Sequence, residues 1–557
     1  MKKIIFLTFC VICLFGITAY TAVRADSRPN VLLITIDTTR PDHLSCYGYE
    51  RQTTPNLDRL AEESVLYTNA VSVIPLTTPS HTSIMTGLHP GTHQVYRNSY
   101  PVSKVFAMMA EILKKAGYTT GAFVSARLVE SRIGFDQGFD FFSDVNPPIE
   151  QDAGRVKSRG AKKQKMEMER RGDLTTDIAL KWIEENSDRQ FFTWLHLYDP
   201  HLPYTPPDEY GLMYNPDYHS YLDKIRNPWF QREAFEDQHG FESGTGERKP
   251  AVRRRSKPRL LTFFESLMRS DTEFITPRKY TPELVKEMIS AYDGEIRFAD
   301  EQVERVFHLL KTKGVYDNTV IIVMGDHGEI LHEKKGYFGH HRHLYQGSLR
   351  IPLIMKFPGI SPGRVDKPIT NVDILPTLLD ALGIENKMDM DGISYWPLMK
   401  NGSSIKIPEY QIFATYSGFQ RQPGQKTKKS LSFVRKIKRA IMVRYFKIRR
   451  RILHNRRWLM EAHFHKFAII EGDWKLIRIK TSPKRRDVEY ELYNLKDDPG
   501  ENHDLSGEQK DVVKELKKTL DKYIKQKRKP IIPEQLRERT EEEKKEEIRT
   551  LKSLGYM

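Results

Sequence analysis

Three apolar runs in this chain each stop at an acidic residue. Asn30–Ile36 (NVLLITI) runs into Asp37, Phe191–Leu197 (FFTWLHL) into Tyr198-Asp199, and Val320–Met324 (VIIVM) into Gly325-Asp326. Short apolar runs of this kind are the pattern of parallel strands buried on both faces. Helical periodicity lies between them, at Asn56–Ser64, Phe106–Gly117, Leu174–Asn186 and Thr281–Lys313, and a further strand pattern at Thr119–Ser125. Alternating strands and helices predict an α/β fold, a mainly parallel sheet with helices on both faces. In such sheets ligands bind beyond the carboxyl ends of the strands, where these acids sit.

The 557 residues fit one large domain and a smaller one. The expected division is a leader at 1–25, a catalytic domain at 29–400, a small α+β subdomain at 401–530 carrying a basic insertion, and a charged helical tail at 531–557. Residues 1–25 start with Lys2 and Lys3, continue apolar, and end at Val23-Arg24-Ala25. This is the pattern of a signal peptide or an N-terminal anchor, and predicts export to a periplasm or an outward-facing membrane attachment. Two of the three cysteines, Cys10 and Cys13, lie in that leader, so Cys46 alone remains and neither an internal disulfide nor a cysteine metal cluster is expected. The net charge of +16 favours anionic partners. Segments 154–172 and 247–259 read as exposed basic insertions. Segment 426–466 reads either as a solvated basic insertion or as a helix on an anionic membrane surface. No nucleic-acid partner is expected, and the oligomeric state is left open.

The stretch Pro75–Gly87 (PLTTPSHTSIMTG) admits two readings. Thr and Ser can cap a helix start, or one hydroxyl is also a nucleophile at the positive end of the helix, beside free amides that suit an anion. Asp37, Asp326 and His327 can hold a divalent metal, and a coordinated Thr77 hydroxyl would lose its proton more readily. Asp199, His201 and His340 can hold a second ion, or the histidines can bind substrate oxygens. A donor set with imidazole favours zinc or manganese, while calcium suits an all-oxygen set.

Beyond these residues, the chain resembles the sulfatase family within the alkaline phosphatase superfamily. NVLLITIDTTRPDHLSCYGY, TTPSHTSIMTG, VIIVMGDHGEILHE, SLRIPLIMKFPG, EGDWKLIRI and ELYNLKDDPGENHDL carry the likeness. It implies hydrolysis of an anionic ester. It also implies departures. Thr77 stands where the family has the cysteine or serine converted to formylglycine. His81 stands for its signature arginine, Thr38 for a second aspartate and His327 for an asparagine. Thr77 looks like the threonine nucleophile of relatives that cleave phosphodiesters or transfer phosphoglycerol groups. Asn98 looks like an asparagine that steadies a phosphate oxygen, although a plain loop amide is an equal reading. His340 looks like a metal-binding histidine of the phosphodiesterases. The expected function is a metal-dependent hydrolase of phosphate, phosphonate or sulfate esters through a covalent Thr77 intermediate. An envelope phosphoglycerol- or phosphoethanolamine-type transferase and a non-catalytic binding protein of the same fold are the alternatives.

Overall fold

The computed structural model describes residues 28–145, 169–226, 280–334, 336, 338–340, 343–386, 388–401, 411–416, 466–480 and 488–526. The leader, most of the basic segments, the charged tail and His341 lie outside the described residues.

The main sheet has eight strands: β1 (Asn30–Ile36), β2 (Val65–Tyr67), β3 (Thr119–Val124), β4 (Phe141–Ser143), β5 (Phe191–Leu197), β6 (Thr319–Gly325), β7 (Leu353–Lys356) and β8 (Gly363–Val365). Their order across the sheet is β8-β2-β7-β6-β1-β5-β3-β4. All neighbours are parallel except β7, which is antiparallel to β6 and β2.

The pleat of β1 explains the layers. Val31 and Leu33 face one side, and Leu32, Ile34 and Ile36 the other. Helices α1 (Pro55–Glu62), α2 (Thr77–Thr86), α3 (Met109–Lys115), α4 (Gly172–Asn186), α5 (Pro282–Thr312) and α6 (Ile374–Ala381) cover both sides. α2, α3 and α6 bury Ile84, Met85, Met109, Leu113 and Leu378 against the Val31 face. α1, α4 and α5 bury Leu57, Leu60, Ile183, Ala291 and Phe307 against the Leu32 face. The sheet is thus sealed by apolar side chains above and below, the arrangement its near-continuous hydrophobic strands require.

Local signals set the ends of the long helix. The Thr281 hydroxyl accepts from the Leu284 N–H, Pro282 opens the first turn, and Gly314 turns the chain away at φ +67°. The expected N-cap of α2 is not observed. The helix begins at Thr77 itself, Leu76 is the N-cap, and neither Thr nor Ser caps it. Of the basic segment expected at 154–172, residues 169–172 are described, and these are tied to the main sheet. Glu169 bridges Ala126, and the Arg170 guanidinium donates to the Val124 carbonyl at 3.0 Å. Lys466, expected in the basic insertion, is buried at the start of a strand.

That strand belongs to a second, antiparallel sheet: β9 (Ile412–Tyr416), β10 (Lys466–Glu471), β11 (Trp474–Lys480) and β12 (Val488–Asn494), followed by α7 (Lys510–Gln526). One face packs Ile412, Ala414, Ala468 and Ile477 against Val73, Ile74 and Leu76, the segment that leads into Thr77. The other buries Ile469, Leu476 and Leu492 under Leu516, Leu520 and Ile524 of α7.

Asp300, on α5, holds the start of α1: its carboxylate accepts from the Asn56 and Leu57 N–H groups at 3.1 and 2.9 Å. Removing it orphans two buried donors. Asp300→Ala is expected to lose about 1–3 kcal/mol of stability, read as a lower urea midpoint with an unchanged slope.

Candidate active site

The register of the central strands builds the site. Ile36 is level with Leu197 on one side and Gly325 on the other. The chain therefore leaves β1, β5 and β6 side by side, and Asp37 and Asp326 emerge as neighbours.

Asp37, Asp326 and His327 are each 0% exposed, and one ligand atom from each lies within 4.8 Å of the others. His327 Nε2 is 3.4 Å from Asp326 Oδ2 and 3.9 Å from Asp37 Oδ1. Its Nδ1 is 3.0 Å from the Gly328 carbonyl, which accepts only from an N–H. That assigns the proton to Nδ1 and leaves the Nε2 lone pair facing two carboxylates. Thr77 Oγ1 stands 3.5 Å from the same nitrogen.

The electrostatics of this arrangement call for a cation. Among the described residues, neither Asp37 oxygen, nor Asp326 Oδ2, has a well-aligned hydrogen-bond donor. Burial pushes both carboxyls well above the usual carboxylate range. Glu329 adds to the rise at Asp37 and Asp37 to that at Asp326, while the Thr77 hydroxyl and Thr38 N–H oppose it at Asp37. Burial, with His340 next in effect, holds His327 well below the usual histidine value. A buried carboxylate without a countercharge costs on the order of several kcal/mol. Two acid oxygens and a neutral imidazole nitrogen that meet at one point fit a divalent metal.

Other groups hold these ligands in place. Asp326 Oδ1 accepts from the N–H groups of Thr38 at 3.1 Å and His327 at 2.7 Å. Thr38 adopts φ +50° to make this contact, a conformation uncommon outside glycine. The Ser80 hydroxyl donates to the Asp326 carbonyl at 2.7 Å and fastens α2 to the end of β6.

His81 joins a buried relay. The Trp194 indole N–H donates to Thr35 Oγ1 at 3.0 Å, Thr35 lies 3.0 Å from His81 Nε2, and His81 Nδ1 lies 2.9 Å from the Thr77 carbonyl. The Thr77 carbonyl only accepts, so Nδ1 carries the His81 proton and donates to it, and the Thr35 hydroxyl donates to Nε2. His81 is neutral here, its pKa depressed mainly by burial.

Around this group the structure places His340, whose ring centroid is 4.3 Å from that of His327 and whose Nδ1 is 3.2 Å from Glu329 Oε1. The His201 ring is 5.2 Å from His340 and stacks on Tyr198 at 4.4 Å. Asp199 is not gathered with these histidines into a metal-capable group among the described residues. Its Oδ1 accepts from the Gly172 N–H at 2.9 Å, at the start of α4, and burial of its carboxyl pushes it up to about 7.

Asn98 Oδ1 accepts from the Thr78 N–H at 2.9 Å, filling the capping role that the helix's own hydroxyls leave open. Asn98 Nδ2 is buried without a hydrogen-bond partner among the described residues. Pro79 has no N–H and the Thr78 N–H is taken by Asn98, so the helix start offers an anion fewer free amides than an ordinary helix start.

Sequence reasoning passed over His81 as a neighbour of the metal group, and also His196 and Glu329. His196 Nε2 lies 3.4 Å from Asp37 Oδ2. It had a legible signal: Trp194 and His196 recur at period two in an otherwise apolar strand, which puts both on one face.

Comparison with known proteins agrees with this frame. Residues 29–384 match the model of the Sulfatase family, and residues 333–452 that of the N-sulphoglucosamine sulphohydrolase C-terminal region. An N-acetylglucosamine-6-O-sulfatase of Bacteroides thetaiotaomicron is 25% identical over 89% of this chain and 87% of its own length. The multifunctional alkaline phosphatase superfamily protein PehA of Trinickia caryophylli is 28% identical over 68% of this chain and 78% of its own. Among solved structures, a complex with the substrate D-glucosamine-2-N,6-O-disulfate superposes with a TM-score of 0.62 at 21% identity, covering 91% of this chain and 99% of the other. The phosphonate monoester hydrolase of Agrobacterium radiobacter does so with 0.59 at 20%, covering 89% and 95%. The chain belongs to the sulfatase family of the alkaline phosphatase superfamily and is a sulfatase-like ester hydrolase.

Proposed function

We propose that this protein is an exported, metal-dependent hydrolase that cleaves anionic esters through a covalent bond to Thr77, with phosphodiesters or phosphonate esters preferred over sulfate esters. The observation that carries the reading is the convergence of Thr77 Oγ1 with Asp37, Asp326 and His327. Asp37, Asp326 and His327 would hold the metal, with zinc or manganese favoured by the imidazole donor. When bound, it would supply Lewis acidity that lowers the Thr77 hydroxyl pKa and offsets charge on the ester.

The chain's own groups account for the rest. Thr77 Oγ1 gives up its proton and attacks the ester centre in line, the bond to the leaving oxygen breaks, and that oxygen takes up a proton to depart as the alcohol. Asn98 Nδ2 would donate to the remaining oxygens, and His201 and His340 would meet their charge when protonated at Nε2. Water then releases the product and restores Thr77. The His81 relay keeps the first turn of α2 oriented through the cycle.

Threonine favours phosphorus over sulfur for a chemical reason. An ordinary alkyl ester lacks the elimination route that a formylglycine hydrate offers, so a sulfothreonine would turn over poorly, whereas a phosphothreonine is open to attack by water. Several relatives carry sulfatase names and structures of the same fold include phosphonate monoester hydrolases, so both ester classes are compatible with the frame. The leader pattern at 1–25 supports export. No helix among the described residues is long and apolar enough to cross a membrane.

Intact-mass analysis after rapid quenching is expected to show one added group on Thr77, a phosphoryl ester from an aryl phosphodiester or a phosphonyl group from an aryl phosphonate ester. Modification elsewhere, or none during turnover, would refute the covalent role. Labelled product on an added alcohol or glycan acceptor would indicate transfer in place of hydrolysis.

Thr77→Ala is expected to lower kcat by about 10³-fold or more, and Thr77→Ser to retain measurable turnover. Asp326→Asn and His327→Ala are expected to weaken metal binding at least about 10-fold, read by equilibrium dialysis with manganese.

A further inference from the structure

The loop that carries His340 is pinned at both ends by one turn of the C-terminal subdomain. Lys334 Nζ donates to the carbonyls of Gly500 and Glu501 and lies 4.9 Å from the Tyr345 ring centroid. On the other side of His340, the Gln346 N–H donates to Glu501 Oε2 at 2.6 Å. Glu501 Oε1 is 2.6 Å from Lys475 Nζ, and the residues of this ion pair are 3% and 0% exposed. Glu501 holds φ +54° to reach both partners, and a non-glycine residue stays there only when its surroundings fix it.

The contact continues into the metal loop. Gln346 opens the short helix Gln346–Leu349. The Gly328 N–H donates to the Ser348 carbonyl at 2.9 Å. A Cβ on Gly328 would stand 2.1 Å from the Gly347 carbonyl oxygen, so the two backbones touch as closely as glycine allows. Gly328 in turn accepts the Nδ1 proton of His327. One line of contacts thus runs from Lys475 through Glu501, Gln346, Ser348 and Gly328 to His327.

Stability alone does not explain this pair. A buried ion pair contributes about as much as well-packed apolar side chains of the same volume, and often less. We propose that Glu501 is a positioning residue: its carboxylate, oriented by Lys475, sets the backbone that carries Asp326 and His327, so the C-terminal subdomain tunes the metal site without touching it. The role rests on the proposed metal site as the thing positioned.

Two charge-neutral double variants separate positioning from plain stability. In K475M/E501Q the amide oxygen can still accept from the Gln346 N–H. In K475M/E501L nothing can. At matched melting temperature, the leucine variant is expected to exchange its amide hydrogens at 326–332 and 344–349 about 10-fold faster than the glutamine variant, with α7 unchanged in both, and to bind manganese about 10-fold more weakly. Equal exchange in the two variants, whether both protected or both loosened, would overturn the proposal. Failure of the unsubstituted protein to bind manganese would count against the metal reading, while the exchange comparison still decides the positioning role.

Discussion

Asp37 and Asp326 repel each other, and His327 turns a lone pair towards both. Three electron-rich atoms meet out of water at the end of the central strands. The fold holds them there against their electrostatics, and much of the surrounding architecture follows from that constraint. The Thr38 backbone is forced into a left-handed conformation to give Asp326 a donor. Ser80 ties α2 to the Asp326 carbonyl, and Asn371 Nδ2 donates to Ser80 at 2.9 Å behind it. A divalent cation bound there, as proposed, would convert the repulsion into attraction.

The two layers of the molecule contribute differently. The parallel sheet supplies position, because neighbouring strands end level and deliver their acids together. The second sheet supplies support. It packs on Val73, Ile74 and Leu76, directly ahead of Thr77, and its Glu501 turn grips the segment around His340. The segments around Thr77, Asp326–His327 and His340 are thus braced from the same side by the small antiparallel sheet.

Much of this was legible in the sequence, for identifiable reasons. β1 and β5 were bounded as observed because an apolar run on a doubly covered sheet stops where the chain reaches polar surroundings. The group Asp37, Asp326 and His327 was legible because acids at strand ends must emerge at one edge. The start of α2 was not. Local capping rules placed Thr and Ser ahead of the helix, but Asn98, 20 residues away, supplies the acceptor. The location of Asp199 was also hidden, since its carboxylate is taken by Gly172 through a contact between segments 27 residues apart. His81 was read as a replacement in a motif. Its role in orienting Thr77 depends on Thr35 and Trp194 from two other strands. Local pattern fixes elements and faces, whereas such contacts depend on how the elements pack.

The central claim is that one cation joins Asp37, Asp326 and His327 to the Thr77 hydroxyl. Anomalous diffraction from crystals grown with manganese tests it directly. The account predicts a peak at coordinating distance from an oxygen of each aspartate, from His327 Nε2 and from Thr77 Oγ1, about 2.0–2.3 Å in each case. A manganese ion bound elsewhere, or one that leaves Thr77 outside its coordination sphere, would contradict it.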